Sequence, residues 1–241
     1  MTPRLFMEGD LVPGRLIEAT HEQGNYLRNV LRLGVGAEAL LFNGRDGEWR
    51  ARLERADRKA CLIGVLEQTR PQTPAPDMHY LFAPLKKARI DYMAQKATEM
   101  GAGLLQPVLT RFTAARRVKP ERLRANAIEA AEQCHLLSVP EVAPLAKLET
   151  VLEGWEADRA LIYCDEAAPI TDPVAALAPL KQRPLAVLIG PEGGFSDEER
   201  AWLRGLDFVT PISLGPRIMR ADTAAVAALA LAGAIAGDWQ E

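Results

Sequence analysis

The feature that most constrains this chain is a pair of glycine loops, each fed by an apolar run, within residues 185–224. Leu185-Ala186-Val187-Leu188-Ile189 is unbroken apolar sequence, the pattern of a parallel strand covered on both faces. It runs into Gly190-Pro191-Glu192-Gly193-Gly194. Ser196-Asp197-Glu198-Glu199 then has the spacing of a capping box, with acid in the first helical turn. Pro211-Ile212-Ser213-Leu214 feeds a second loop, Gly215-Pro216-Arg217-Ile218-Met219-Arg220. Asp222 or Thr223 is placed to cap an Ala-rich closing helix. Two such loops at the carboxyl ends of two strands make a ligand crevice if those strands are neighbours.

The first loop lacks the Gly-Lys-Ser/Thr of a phosphate-binding P-loop, and it is not Gly-x-Gly-x-x-Gly. Glu192 in its middle would repel a phosphate. A ligand without phosphate, carrying positive charge, suits it better. Either loop alone is equally a plain strand-to-helix turn, which glycine makes for steric reasons.

Together the loops are far more specific. Residues 188–196, Leu-Ile-Gly-Pro-Glu-Gly-Gly-Phe-Ser, followed by residues 214–220, Leu-Gly-Pro-Arg-Ile-Met-Arg, resemble the ribosomal RNA small subunit methyltransferase E family, of the SPOUT or α/β-knot superfamily. The resemblance implies an α/β fold: a trefoil-knotted parallel-sheet domain preceded by a small PUA-like β-barrel. It implies S-adenosylmethionine (SAM) in the crevice, held mostly by backbone at Gly190, Pro191, Glu192, Gly193, Gly194, Leu214 and Gly215, with Leu188, Ile218 and Met219 around the adenine. The positive sulfonium suits Glu192. It further implies a homodimer that methylates N3 of a uridine near the 3′ end of 16S ribosomal RNA, taken as free RNA or in the assembled small subunit.

Three scattered cysteines, Cys61, Cys134 and Cys164, read as reduced thiols in a cytoplasmic protein, and no basic-then-apolar leader opens the chain. The longest apolar run, 223–237, is too short to span a bilayer. His21, His79 and His135 lie far apart with no zinc spacing, so no metal is implied. The net charge of −3 hides an uneven distribution. Residues 74–124 hold ten Lys/Arg against four Asp/Glu, whereas residues 125–241 hold eight against eighteen. A basic block on an otherwise acidic chain is an electrostatic footprint for RNA, or simply a solvated helix face.

Residues 1–72 read as a small β-rich domain, and the resemblance implies that it binds RNA. Residues 4–6 open it, a helix covers 21–33 with Gly34 as its stop, and strands follow at 38–42, 48–53 and 60–66. The segment 43–47 joins the first two of these as a hairpin turn. Arg28 and Arg32, with Tyr26, Asn29 and Trp49, are candidate RNA contacts or ordinary surface and core residues. A proline-rich linker at 70–76 leads into the second domain, 73–241. There a strand at 79–83, a helix at 86–100 and a strand at 104–109 make a right-handed βαβ unit.

Segment 86–101 also matches the family pattern, and Lys86 and Lys96 could meet phosphate. Arg111, Arg116, Arg117 and Lys119 cluster in an irregular basic stretch before a helix from Pro120 to about residue 134. The family usually carries arginines next, where this chain has His135-Leu136-Leu137-Ser138, so that RNA contact is either missing or supplied from elsewhere, with Arg111, Arg116 and Arg117 as candidates. A strand at 160–164 followed by Asp165-Glu166 reads as a third loop of the crevice.

For catalysis, Arg220 directly follows the second loop and is the candidate to stabilise charge on a deprotonated uracil, with Arg217 as the alternative. Arg220 could instead form a structural ion pair with Asp222, which stands where the family commonly has Glu, or bond a loop carbonyl. Glu192 and Asp222 are the nearby carboxylates. Two other readings stay open: a non-catalytic RNA-binding ribosome-assembly factor, and a dinucleotide oxidoreductase, although the glycine fingerprint of the latter is missing.

Overall fold

The computed structural model describes residues 2–57, 60–86, 88–168 and 172–240. The chain divides into two compact units, residues 1–75 with 131–139, and residues 76–130 with 140–241.

The first unit contains β1 (Arg4–Phe6), β2 (Leu16–Glu18), α1 (His21–Asn25), β3 (Glu38–Phe42), β4 (Glu48–Ala56) and β5 (Cys61–Arg70). Its sheet has the order β1-β3-β4-β5-β2, antiparallel except where β1 runs parallel to β3. Leu27, Leu41, Leu53 and Ile63 are fully buried at its core. The expected helix over 21–33 is shorter and irregular. Thr20 and Gln23 form a capping box, α1 lasts five residues, and Tyr26–Val30 continues as a π-helical turn. Arg32, at φ 57°, redirects the chain two residues before Gly34.

Segment 131–139 belongs to this unit through Arg4. The Arg4 Nε lies 2.7 Å from the buried Glu48 carboxylate, and Arg4 Nη1 donates to the Ala131 carbonyl at 2.6 Å. Arg4 also donates to the carbonyl of Leu136, Phe6 N–H donates to the Glu132 carboxylate, and Arg70 donates to the His135 carbonyl. A buried guanidinium needs every donor met, so this small network is unforgiving.

The second unit contains β6 (Met78–Phe82), α2 (Ala88–Glu99), β7 (Ala102–Leu109), α3 (Pro120–Gln133, whose end enters the first unit), β8 (Glu141–Val142), β9 (Ala146–Lys147) and α4 (Leu148–Glu153). It continues with β10 (Ala160–Cys164), α5 (Pro173–Leu177), β11 (Leu185–Ile189), α6 (Asp197–Arg204), β12 (Val209–Ile212) and α7 (Ala221–Ile235). Its sheet has the order β12-β10-β11-β6-β7-β8, with β9 also on β7, and every pairing is parallel.

All five residues of β11 are buried, because the strand is flanked by β10 and β6 and covered by helices. Helix α7 packs on β11 and against α2. Its alanines and Gly233 permit that close approach, and Trp239 sits over Gly233. Among the described residues no helix is long and apolar enough to cross a membrane.

Two expectations are corrected. The strands that feed the glycine loops are not neighbours, because β10 lies between β11 and β12. A crevice still forms, since β10 brings the loop beginning at Cys164 between the other two. The N-cap of α7 is Arg220, without a side-chain capping bond, rather than Asp222 or Thr223. The Asp222 carboxylate lies inside the first turn and accepts from the N–H of Thr223.

Candidate active site

A cleft of about 510 Å³ opens at the carboxyl ends of β10, β11 and β12, within the range of small-molecule sites. Three loops wall it: Gly190, Pro191, Glu192 and Gly194 after β11, residues 213–220 after β12, and Cys164, Asp165 and Glu166 after β10.

The glycines are needed for different reasons. A Cβ on Gly190 would lie 2.4 Å from a ring carbon of Phe195, so only glycine lets that ring close the floor. Gly194 and Gly215 have φ +69° and +108°, which side chains rarely tolerate. Two expected cofactor contacts are not at the cleft surface. Leu188 is fully buried in the cluster with Tyr163 and Phe195, because alternate residues of a buried strand point to opposite faces. Gly193 faces away, and a Cβ there would meet Phe112 at 3.4 Å. Leu214, Gly215, Ile218 and Met219 do line the cleft.

The charges of the cleft are mostly paired. The Asp165 carboxylate, with no exposed side-chain surface, accepts from Arg200 and from Arg204, the latter at 2.6 Å. Arg200 also reaches Glu166 at 3.1 Å and the Phe195 carbonyl at 3.0 Å. Arg89 of α2 donates to Glu192, and its Nε lies 3.8 Å from Asp222. Arg217 and Arg220 are different. Both line the cleft, and neither makes an ion pair or side-chain hydrogen bond among the described residues. The alternative of an Arg220–Asp222 ion pair is therefore not what forms.

Arg89 and Arg200 line the cleft without having been singled out from the sequence. Each lies in a helix, and one turn of helix does not say which loop a side chain will face. Burial pushes the Cys164 thiol up to about 12, so at neutral pH it is a wall and not a nucleophile.

The residues present fit SAM. Glycine backbone offers close approach, Ile189, Leu214 and Met219 offer apolar surface, and Glu166 and Glu192 offer acceptors for hydroxyl or cationic groups. No cluster of metal ligands occurs among the described residues.

The basic candidates fall into two sets. Arg111, Arg116 and Arg117 are exposed in the second unit, in the stretch between β7 and α3. Its start is fixed by a Thr110–Thr113 turn and by the Arg111 N–H, which donates to the Glu199 carboxylate at 2.7 Å. Lys86 is exposed, but Lys96 is turned to both oxygens of Glu99 at 2.7 and 2.8 Å, which offsets its charge on its own helix. In the first unit Arg32 is exposed, whereas Arg28 spends its guanidinium on the carbonyls of Gly24 and Asp57.

An RNA methyltransferase domain model matches residues 71–233, and an RNA methyltransferase PUA domain model matches residues 20–66. The chain is 33% identical to ribosomal RNA small subunit methyltransferase E of Synechocystis, covering 93% of this chain and 76% of that protein. The Rickettsia conorii protein of the same name is 28% identical, covering 94% and 93%. A Legionella pneumophila protein described as a methyltransferase and solved with bound SAM superposes with a TM-score of 0.86 at 30% identity, covering 99% of each chain.

Proposed function

The chain belongs to the ribosomal RNA small subunit methyltransferase E family, and we propose that the atom it methylates is N3 of a uridine near the 3′ end of 16S ribosomal RNA. It is a SAM-dependent ribosomal RNA methyltransferase. The observation that carries the finer reading is the pair of unpaired guanidiniums, Arg217 and Arg220, on a cleft whose other charges are matched.

SAM supplies an electrophilic methyl group when bound. Everything else falls to the chain. The glycine loops hold the cofactor by backbone, at positions where side chains would intrude. Arg220, at the N-terminus of α7, and Arg217 present positive charge toward the substrate. N3 of uracil must lose its proton to attack, and its charge then spreads to the flanking carbonyl oxygens. A guanidinium beside them, with the positive end of the α7 dipole, stabilises that charge. Neither carboxylate at this edge is a free base, since Arg89 engages both Glu192 and Asp222. Solvent takes the proton.

Arg111, Arg116 and Arg117 contact RNA phosphate, with Arg32 contributing from the first unit. Support for a C2 homodimer comes from Ile218, 88% exposed within the second glycine loop, and from exposed Tyr92 on α2. The trefoil knot of the superfamily is part of the same reading. Cytoplasmic placement follows from the substrate. Mapping of modified nucleotides by mass spectrometry in a deletion strain tests the proposal. Loss of a single N3-methyluridine from small-subunit RNA is expected, and an unchanged nucleotide set would end it. A single mass by light scattering, equal to one chain at micromolar concentration, would contradict the dimer.

A further inference from the structure

Glu199 does two things at once. As the third residue of α6, its Oε2 accepts the Ser196 N–H at 2.8 Å and closes the capping box that ends the first glycine loop. Its Oε1 accepts the Arg111 N–H at 2.7 Å, at the start of the basic segment 111–117. A capping box needs only the first of these bonds. Glu199 as a whole is 8% exposed. Contact between the two segments continues at the Gly193 Cα, where an added Cβ would touch Phe112 at 3.4 Å. Arg111 also stands close enough to α6 to help hold the Glu198 carboxyl below its usual range, alongside the stronger backbone and Ser196 hydrogen bonds.

We propose that Glu199 is a positioning residue: one carboxylate fixes the basic segment 111–117 to the end of the first glycine loop, so that the RNA-binding segment and the cofactor loop hold one register. Glu199 touches neither cofactor nor substrate. It acts through two backbone N–H groups, one on each segment. The inference rests on the reading that 111–117 contacts RNA.

Two variants isolate the second bond. Glu199→Asp keeps the charge and can still cap Ser196, but it is one methylene too short to reach Arg111 as well. Glu199→Gln has a single acceptor oxygen, so one of the two N–H groups must face an amide donor. Either variant decides the matter if the other fails to fold, with S-adenosylhomocysteine affinity as the control for an intact cleft.

Binding to unmethylated small ribosomal subunits is then measured across a salt series. The expected result is affinity weakened about tenfold and a salt slope shallower by roughly 0.7 for each phosphate that the segment no longer neutralises, as for single-stranded RNA, with S-adenosylhomocysteine affinity within about twofold of wild type. A merely structural role would lower folding stability and leave the salt slope intact. Charge reversal at Arg111, Arg116 and Arg117 together separates the two claims. If that triple variant binds normally, the RNA reading of the segment fails. If it binds weakly while both Glu199 variants bind with wild-type affinity and slope, the role of Glu199 alone is overturned.

Discussion

Arg89 donates a hydrogen bond to Glu192 at the mouth of the cleft, and so masks the carboxylate best placed to meet a cationic ligand. SAM carries one more positive charge than S-adenosylhomocysteine. Arg89→Ala should leave Glu192 uncompensated and raise the preference for SAM over S-adenosylhomocysteine. Both side chains are more than a third exposed, so the effect is modest, about threefold in the affinity ratio. Calorimetry with the two ligands measures it, and an unchanged ratio would mean that Glu192 does not face the sulfonium.

Two glycines of the same loop should respond oppositely to a methyl group. Gly190→Ala drives a carbon into the Phe195 ring and should cost about 1–3 kcal/mol, with SAM binding weakened as the floor shifts. Gly193→Ala only touches Phe112 and should stay within about 0.5 kcal/mol of wild type. Urea denaturation of both variants gives the comparison, and equal losses would refute it.

Arg220→Ala should cut the single-turnover methylation rate about a hundredfold while nearly keeping SAM affinity, as loss of one electrostatic stabiliser typically does. Arg217→Ala should have the smaller effect. A normal rate in the Arg220 variant would remove it from catalysis.

Burial, aided by the Arg159 guanidinium, holds His79 below its ordinary value of 6.5, against the opposing pull of Asp77, Glu156 and Glu141. The folded protein therefore prefers neutral His79. Its contribution to stability is complete above the unfolded value of 6.5 and is lost as pH falls through the lower folded value. The urea midpoint should drop between pH 7.5 and pH 5, and His79→Gln should flatten part of that drop. A wild-type slope in the variant would assign the pH dependence to other groups.

Much of the cleft was legible because its chemistry is local. The apolar run 185–189 coincides with β11, residues 160–164 with β10, and the Ser196 capping box forms as its spacing requires. What escaped was set by tertiary placement. No local pattern says that β10 separates β11 from β12, or that Leu188 turns into the core while Ile189 lines the cleft. Asp222 is a good capping residue by type, yet its carboxylate lies beside Arg89 and the cap of α7 falls two residues earlier, at Arg220. Lys96 reads equally as a phosphate contact or an ordinary helix residue in one dimension, and only the helical turn shows that Glu99 lies beside it.

The Arg4 network carries a consequence for biosynthesis. Its guanidinium is met by Glu48, but also by carbonyls at Ala131 and Leu136, the first of them 127 residues further on. Chains emerge from the ribosome amino end first, and domains usually fold in that order. Here the leading unit cannot finish when its own first 75 residues have emerged. It waits, with a charged group bound for its interior still short of partners, until residue 139 has emerged. By then β6, β7 and all of α3 are already outside, so the two units of this RNA-modifying enzyme must mature on an overlapping schedule rather than one after the other.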